Sequence, residues 1–167
     1  MIAGPRIGQG IDVHPFAASS DRPLVLGGVL FPGEPGLAGH SDSDVVLHAL
    51  ADALLGAVAR GDIGERFGVA DPAFADVDSR VFVDGALADV LEAGWTVGNV
   101  DLTVVAQRPK ISPRRAELVA SVAGILGVSP DAVSVKASTT DGLGFIGRGE
   151  GIACFATVLV HREGGDG

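Results

Sequence analysis

The chain has 167 residues, 47% hydrophobic and 20% charged, which is the balance of one ordinary domain folded around a core with no room for a second catalytic module. Its 12 Lys and Arg against 21 Asp and Glu give a formal net charge of −9, which excludes a sequence-independent nucleic-acid binder, whose affinity comes from neutralising phosphates. One cysteine, Cys154, and no CxxC pair exclude an internal disulfide, a thiolate zinc site and a thioredoxin-type motif.

From Arg6 to His14 alternate residues separate by kind. Ile7, Ile11 and Val13 fall on one face of a strand and Gly8, Gly10, Asp12 and His14 on the other, which marks the second face as the functional one. Leu24-Val25-Leu26 and Val29-Leu30-Phe31 flank Gly27-Gly28, a two-residue hairpin signal, and the loop PGEPGLAG follows. Ser41-Asp42-Ser43-Asp44 resembles a capping box, with the Ser41 oxygen for orphan amides and an acid three residues on. The helix it opens runs to about Arg60 and is stopped by Gly61. Its apolar stretch, 45–59, is broken by His48 and Asp52 and falls short of the ~20 residues of a membrane span, so it reads as a buried helix.

Val83, Ala86, Leu87, Val90 and Leu91 predict a second helix ending near Gly94, and Asn99 to Ala106 alternates as a strand. Ser112-Pro113 opens a third helix, whose stripe of Leu118, Val119, Val122, Ile125 and Leu126 stops at Gly127. Val133 to Ala137 is a short strand and 138–151 a loop dense in Thr and Gly. Ile152 to Val160 is a strand apolar on both faces, hence central in its sheet or covered by another subunit. The expected fold is a single-domain α/β (α+β) sandwich over 1–167, with its core at about 6–160 and a frayed tail at 161–167. Its mixed sheet has four or more strands, with helices packed on one side. The first ten residues hold no apolar run of the signal-peptide kind, so the expected setting is the cytoplasm, away from membranes.

Three of the four histidines, His14, His40 and His48, fall in the first third of the chain, each near an Asp. Asp12 and His14, two apart on a strand, point the same way and can grip one ion together. Asp44, His48 and Asp52 recur every four residues along an otherwise apolar helix, and buried ionisable groups are costly unless paired or bound to metal. A lone histidine there reads as a hydrogen-bonded core residue. With Asp12 and His14 it completes a nitrogen and oxygen set that suits zinc with one position open to substrate. The 138–151 loop offers hydroxyls, glycines and Arg148 to phosphate oxygens, but it lacks the GK[ST] of a P-loop and reads equally as a flexible turn. Arg148 with Glu150 is a phosphate contact or an exposed ion pair, and Lys110 and Lys136 are site cations or solvated lysines.

The segments GQGIDVHPF at 8–16, LVLGGVLFPGEPGLAGHSDSDVVLHALADALLGAVARGDIG at 24–64, NVDLTVVAQRPKISP at 99–113 and VKASTTDGLGFIGRGEGIAC at 135–154 together resemble the 2-C-methyl-D-erythritol 2,4-cyclodiphosphate synthase family, from about Arg6 to Val160. The resemblance implies a homotrimer with its sheets toward the trimer core and active sites between subunits. It also implies closure of 4-diphosphocytidyl-2-C-methyl-D-erythritol 2-phosphate on itself with loss of CMP, a step of non-mevalonate isoprenoid synthesis. On this resemblance Asp12, His14 and His48 hold one zinc per subunit, with Asp12 and His14 also counted among the substrate contacts. His40 and Thr139 stabilise the transition state, Ser41 with His40 meets phosphate and polyol, and Asp62, Ile63 and Gly64 hold the methylerythritol hydroxyls. Phe67 and Asp71 lie on the substrate side. Ala106, Pro109, Lys110, Ile111 and Ser112 with Ser138, Thr139, Thr140 and Asp141 form a cytidine and diphosphate pocket supplied by the neighbouring subunit. Phe145 and Arg148 match substrate-side or central-cavity positions, and an Arg148–Glu150 contact between subunits suits the pattern.

The residues suit that chemistry. The attacking 2-phosphate and the β-phosphorus belong to one anionic molecule, so zinc, with magnesium or manganese on the diphosphate, neutralises repulsion, and holding both ends of the substrate supplies up to ~7–11 kcal/mol of barrier reduction. This chain departs from the family pattern in two places. Asp141 stands where a glutamate usually binds magnesium, and Gly68-Val69-Ala70 replace a proline and acidic residues. The rival readings are a metal-dependent phosphohydrolase and a non-catalytic trimer that binds nucleotide diphosphates.

Overall fold

The computed structural model describes residues 4–19, 21–68 and 72–162, so Asp71, Val69, Ala70 and most of the 161–167 tail lie outside the described residues. The described residues form six strands and five α-helices, with the expected elements in the expected order. They are β1 (Arg6–Pro15), β2 (Pro23–Leu26), β3 (Val29–Pro35), α1 (Val45–Ala57), α2 (Ile63–Phe67), α3 (Arg80–Glu92), β4 (Thr96–Val105), α4 (Arg115–Leu126), β5 (Val133–Ser138), α5 (Gly144–Gly147) and β6 (Gly151–His161).

The main sheet is mixed and four-stranded, in the order β1-β6-β4-β5. β6 lies between β1 and β4 and is antiparallel to both, while β5 runs parallel to β4 and is reached through α4, the crossover that a parallel neighbour needs. The central place of β6 answers its unbroken apolar pattern. Ile152, Cys154, Ala156, Val158 and Val160 are buried toward the helices beside Val100, Leu102 and Val104 of β4. The opposite face stays open in the single chain, with Ile7, Ile11, Val13 and Phe155 between 40% and 68% exposed.

β1 is therefore inverted relative to a usual strand, since its apolar side chains face outward and its glycines face the helix layer. A Cβ at Gly8 would lie 1.9 Å from the Ala53 carbonyl oxygen, and one at Gly10 would lie 2.0 Å from that of Ala49. Both positions need glycine because α1 sits directly on the strand backbone. β2 and β3 form the expected hairpin, and Gly27 and Gly28 both take positive φ, 59° and 74°, as a type I′ link requires.

The start of α1 differs from the capping-box reading. Asp44, not Ser41, is the N-cap, accepting from the amides of Val46 and Leu47, and the same carboxylate also takes those of Gly27 and Gly28. Four donors on one buried carboxylate outweigh the single bond a serine could offer. The helix ends at Ala57 rather than near Arg60, because Ala59 and Gly61 already take positive φ. Two short helices add to the expected elements, α5 within the expected 138–151 loop and α2 in a stretch to which no element was assigned, both too short to show a helical period. Among the described residues no helix is long and apolar enough to cross a membrane.

Candidate active site

β1 delivers Asp12 and His14 to one end of the sheet, and α1, clamped on Gly8 and Gly10, brings His48 to the same point. The Asp12 Oδ2 atom lies 2.9 Å from His14 Nε2 and 3.1 Å from His48 Nδ1, and the two ring nitrogens are 3.2 Å apart. Donors held by one tetrahedral zinc stand ~3.3 Å from each other, so a small ion fits the cluster. Among the described residues these three form the one group of His, Cys, Asp or Glu side chains gathered closely enough to hold a metal.

The surroundings set each donor. His14 Nδ1 donates to the Ala38 carbonyl at 2.7 Å, which turns Nε2 toward Asp12 and His48. Burial alone would raise the Asp12 carboxyl, but hydrogen bonds and charge from His14 and His48 hold it well below the usual carboxylate range. Burial likewise depresses His14, and the hydrogen bond and charge of Asp12 more than reverse that, leaving it raised. A carboxylate between two imidazoles is thus a place where added positive charge is stabilised.

Behind His48 lies a second polar group. Its Nε2 is 2.8 Å from Ser79 Oγ and 3.0 Å from Ser41 Oγ, the two hydroxyls are 3.1 Å apart, and Ser79 donates to Asp42. In front of it a cavity of about 260 Å³ is lined by His14, His40, Ser41, His48, Ile63 and Gly64, with Phe74 and Phe82 as its aromatic wall. The structure thus brings the expected zinc ligands together with His40, Ser41, Ile63 and Gly64. Asp62 caps α2 through the Glu65 amide, and the Asp52 carboxylate takes the Ile63 amide at 2.8 Å, which fixes that segment beside α1. Phe67 backs the cavity, its ring meeting those of Phe74 and Phe82.

A separate pocket of about 220 Å³ is lined by Ala106, Pro109, Lys110, Ile111 and Ser112 from the end of β4 and by Ser138 and Thr139 from the end of β5. Parallel pairing of β4 with β5 brings these distant stretches together at one sheet end. Thr140 and Asp141 follow on the same loop. Thr139 Oγ1 donates to Asp141 Oδ1 at 3.2 Å, Thr140 Oγ1 donates to the Leu143 carbonyl, and Asp141 is exposed with φ of 51°. Phe145 is exposed on α5, and Arg148 pairs with Glu150 inside the chain at 2.6 Å, so this contact needs no neighbour.

Sequence reading missed Ser79, Asp42 and the Phe74–Phe82 wall. Ser79 stands 31 positions from His48 and carries no local motif. Phe74 and Phe82 meet only in the folded chain, since Phe74 precedes α3 and Phe82 lies within it, so no pattern inside one element marks the pair.

A mixed sheet under helices, with a two-histidine, one-carboxylate cluster at its end, is the frame in which the chain's relatives are met. The model of the YgbB family matches residues 5–161, and the chain belongs to that family. Among curated relatives, the 2-C-methyl-D-erythritol 2,4-cyclodiphosphate synthase of Thiobacillus denitrificans is 53% identical over 94% of this chain and 97% of its own length. Among solved structures, the IspF protein of Plasmodium falciparum, determined as a CDP complex, matches with a TM-score of 0.83 and 35% identity over 95% of this chain and 97% of its own. The bifunctional IspDF of Campylobacter jejuni matches at a TM-score of 0.88 and 40% identity, covering 93% of this chain and 42% of the longer protein.

Proposed function

We propose that the chain is a 2-C-methyl-D-erythritol 2,4-cyclodiphosphate synthase, converting 4-diphosphocytidyl-2-C-methyl-D-erythritol 2-phosphate to the cyclic diphosphate and CMP. The observation that carries this reading is the convergence of Asp12, His14 and His48 on one point beside a cavity that His14, His48, Ile63 and Gly64 line. Asp12, His14 and His48 hold zinc and Asp141 contributes to a magnesium or manganese site; bound there, the metals neutralise phosphate charge in an acidic protein. His40 and Ser41 meet phosphate and polyol oxygens at the cavity, and the α2 segment around Asp62 orients the hydroxyls. Lys110, with the Ser138–Thr140 hydroxyls, binds the cytidine diphosphate end. Binding both ends places the attacking oxygen near phosphorus, so the chain's residues orient and neutralise and none of them acts as a nucleophile.

The reading includes a homotrimer that covers the open sheet face and brings the 106–112 and 138–141 pocket of one subunit to the metal cavity of the next. The exposed Ile7, Ile11, Val13 and Phe155 support it, since a contiguous apolar sheet face calls for a partner. A cytoplasmic setting accords with Cys154 as a buried, unpaired thiol. The test is to incubate the zinc-loaded protein with the diphosphocytidyl methylerythritol phosphate and magnesium and to follow both products by mass. Equimolar CMP and cyclic diphosphate are expected. A linear product in place of the cyclic one would identify a hydrolase, and no CMP at all would identify a binding protein.

A further inference from the structure

Ser79 occupies the N-cap position of α3, where a serine ordinarily turns its oxygen onto the helix's own free amides, yet its side chain makes no capping bond. The Arg80 amide goes instead to Asp78 Oδ1 at 2.8 Å. The Ser79 hydroxyl is fully buried and spent elsewhere, 2.8 Å from His48 Nε2 on one side and donating to Asp42 Oδ1 on the other, while the Ser79 amide donates to Asp42 Oδ2 at 3.2 Å.

Proton bookkeeping fixes the direction of this chain of bonds. Carboxylate oxygens only accept, so the hydroxyl proton of Ser79 goes to Asp42, leaving Ser79 Oγ as an acceptor for a proton on His48 Nε2. A neutral imidazole protonated at Nε2 carries its lone pair at Nδ1, the nitrogen that faces Asp12 and His14. Ser41 lies 3.0 Å from the same Nε2 but has no carboxylate behind it. Its oxygen accepts the Ser43 amide, and its own proton stays available toward Ser79 or the cavity.

We propose that Ser79, oriented by Asp42, is a positioning residue for the metal centre that holds His48 in the tautomer and ring orientation able to ligate through Nδ1. The proposal rests on the reading of Asp12, His14 and His48 as zinc ligands. A metal-bound histidine depends on the partner of its other nitrogen, and loss of such a partner costs 10–100-fold in metal affinity or activity. The two serines therefore have different tasks, Ser79 serving the metal and Ser41 the substrate.

The experiment measures zinc affinity of the full-length protein by competition with a chromophoric chelator, with no substrate present. Ser79→Ala is expected to weaken zinc binding 10–100-fold, Asp42→Asn to weaken it less, and Ser41→Ala to change it least. The kcat of Ser79→Ala should recover in excess zinc with KM unchanged, which a merely structural defect would not show. Nitrogen-15 spectra of the zinc-loaded wild type, independent of any variant's folding, should show His48 bound through Nδ1 with a slowly exchanging Nε2 proton. Zinc on Nε2, a folded Ser79→Ala that binds zinc as the wild type does, or a larger loss from Ser41→Ala would overturn the assignment. A wild type that takes up no zinc would overturn the metal reading and this inference with it.

Discussion

Asp12, His14 and His48 are fixed from behind by Ala38, Ser79 and Asp42, and sit on a strand and a helix pressed together at Gly8 and Gly10. Lys110, Ser138 and Asp141 instead stand exposed, Ser138 at the last position of β5 and the other two on the loops that follow β4 and β5. The first region is organised before anything binds, as residues proposed to hold a metal would have to be if their spacing is to select an ion. In the proposed function the second would supply charge and hydroxyls to a long anionic ligand, completed by a neighbouring subunit of the proposed trimer.

Three variants test whether the division holds. His48→Ala removes a ligand from the organised region, so zinc stoichiometry should fall to background by atomic absorption and kcat/KM should drop at least ~10³-fold, the loss of several kcal/mol of charge stabilisation. Stoichiometric zinc in this variant would take His48 out of the ligand set. Lys110→Ala removes one charge-assisted contact from the exposed region. A rise in KM of about tenfold is expected, with zinc content unchanged, and a loss of zinc would show that the regions are not separable. The smallest effect is that of Asp141→Glu. One added methylene extends the carboxylate toward the diphosphate, so half-saturating magnesium in the CMP-release assay should fall by about two- to fivefold, and an unchanged or higher requirement would count against a metal role for Asp141.

The same division explains how much could be read from the chain alone. The parity of β1 announced Asp12 and His14, and the four-residue recurrence on α1 singled out His48, because in both cases an ionisable side chain broke a local period that the eye can follow. The cap of α1 was misassigned to Ser41 because the advantage of Asp44 comes from the Gly27 and Gly28 amides, a tertiary contact that no four-residue window contains. Ser79 and Asp42 stayed invisible for the same reason, as polar residues whose partner lies on another element. The hydroxyls of 138–151 and Lys110 stood out only by residue type, and their grouping with 106–112 as one pocket came from family resemblance, since exposed loop residues carry no periodicity to break.

The two glycines of β1 carry a consequence for redesign. Because the strand meets the helix backbone itself at Gly8 and Gly10, the separation between the strand that carries Asp12 and His14 and the helix that carries His48 leaves little to be tuned by repacking side chains. The centre has a fixed bore. Converting it to a calcium site, which takes six to eight oxygens at ~2.3–2.6 Å, would require replacing the ligands themselves, and a bulkier residue at position 8 or 10 would pry the ligand set apart before it widened the site.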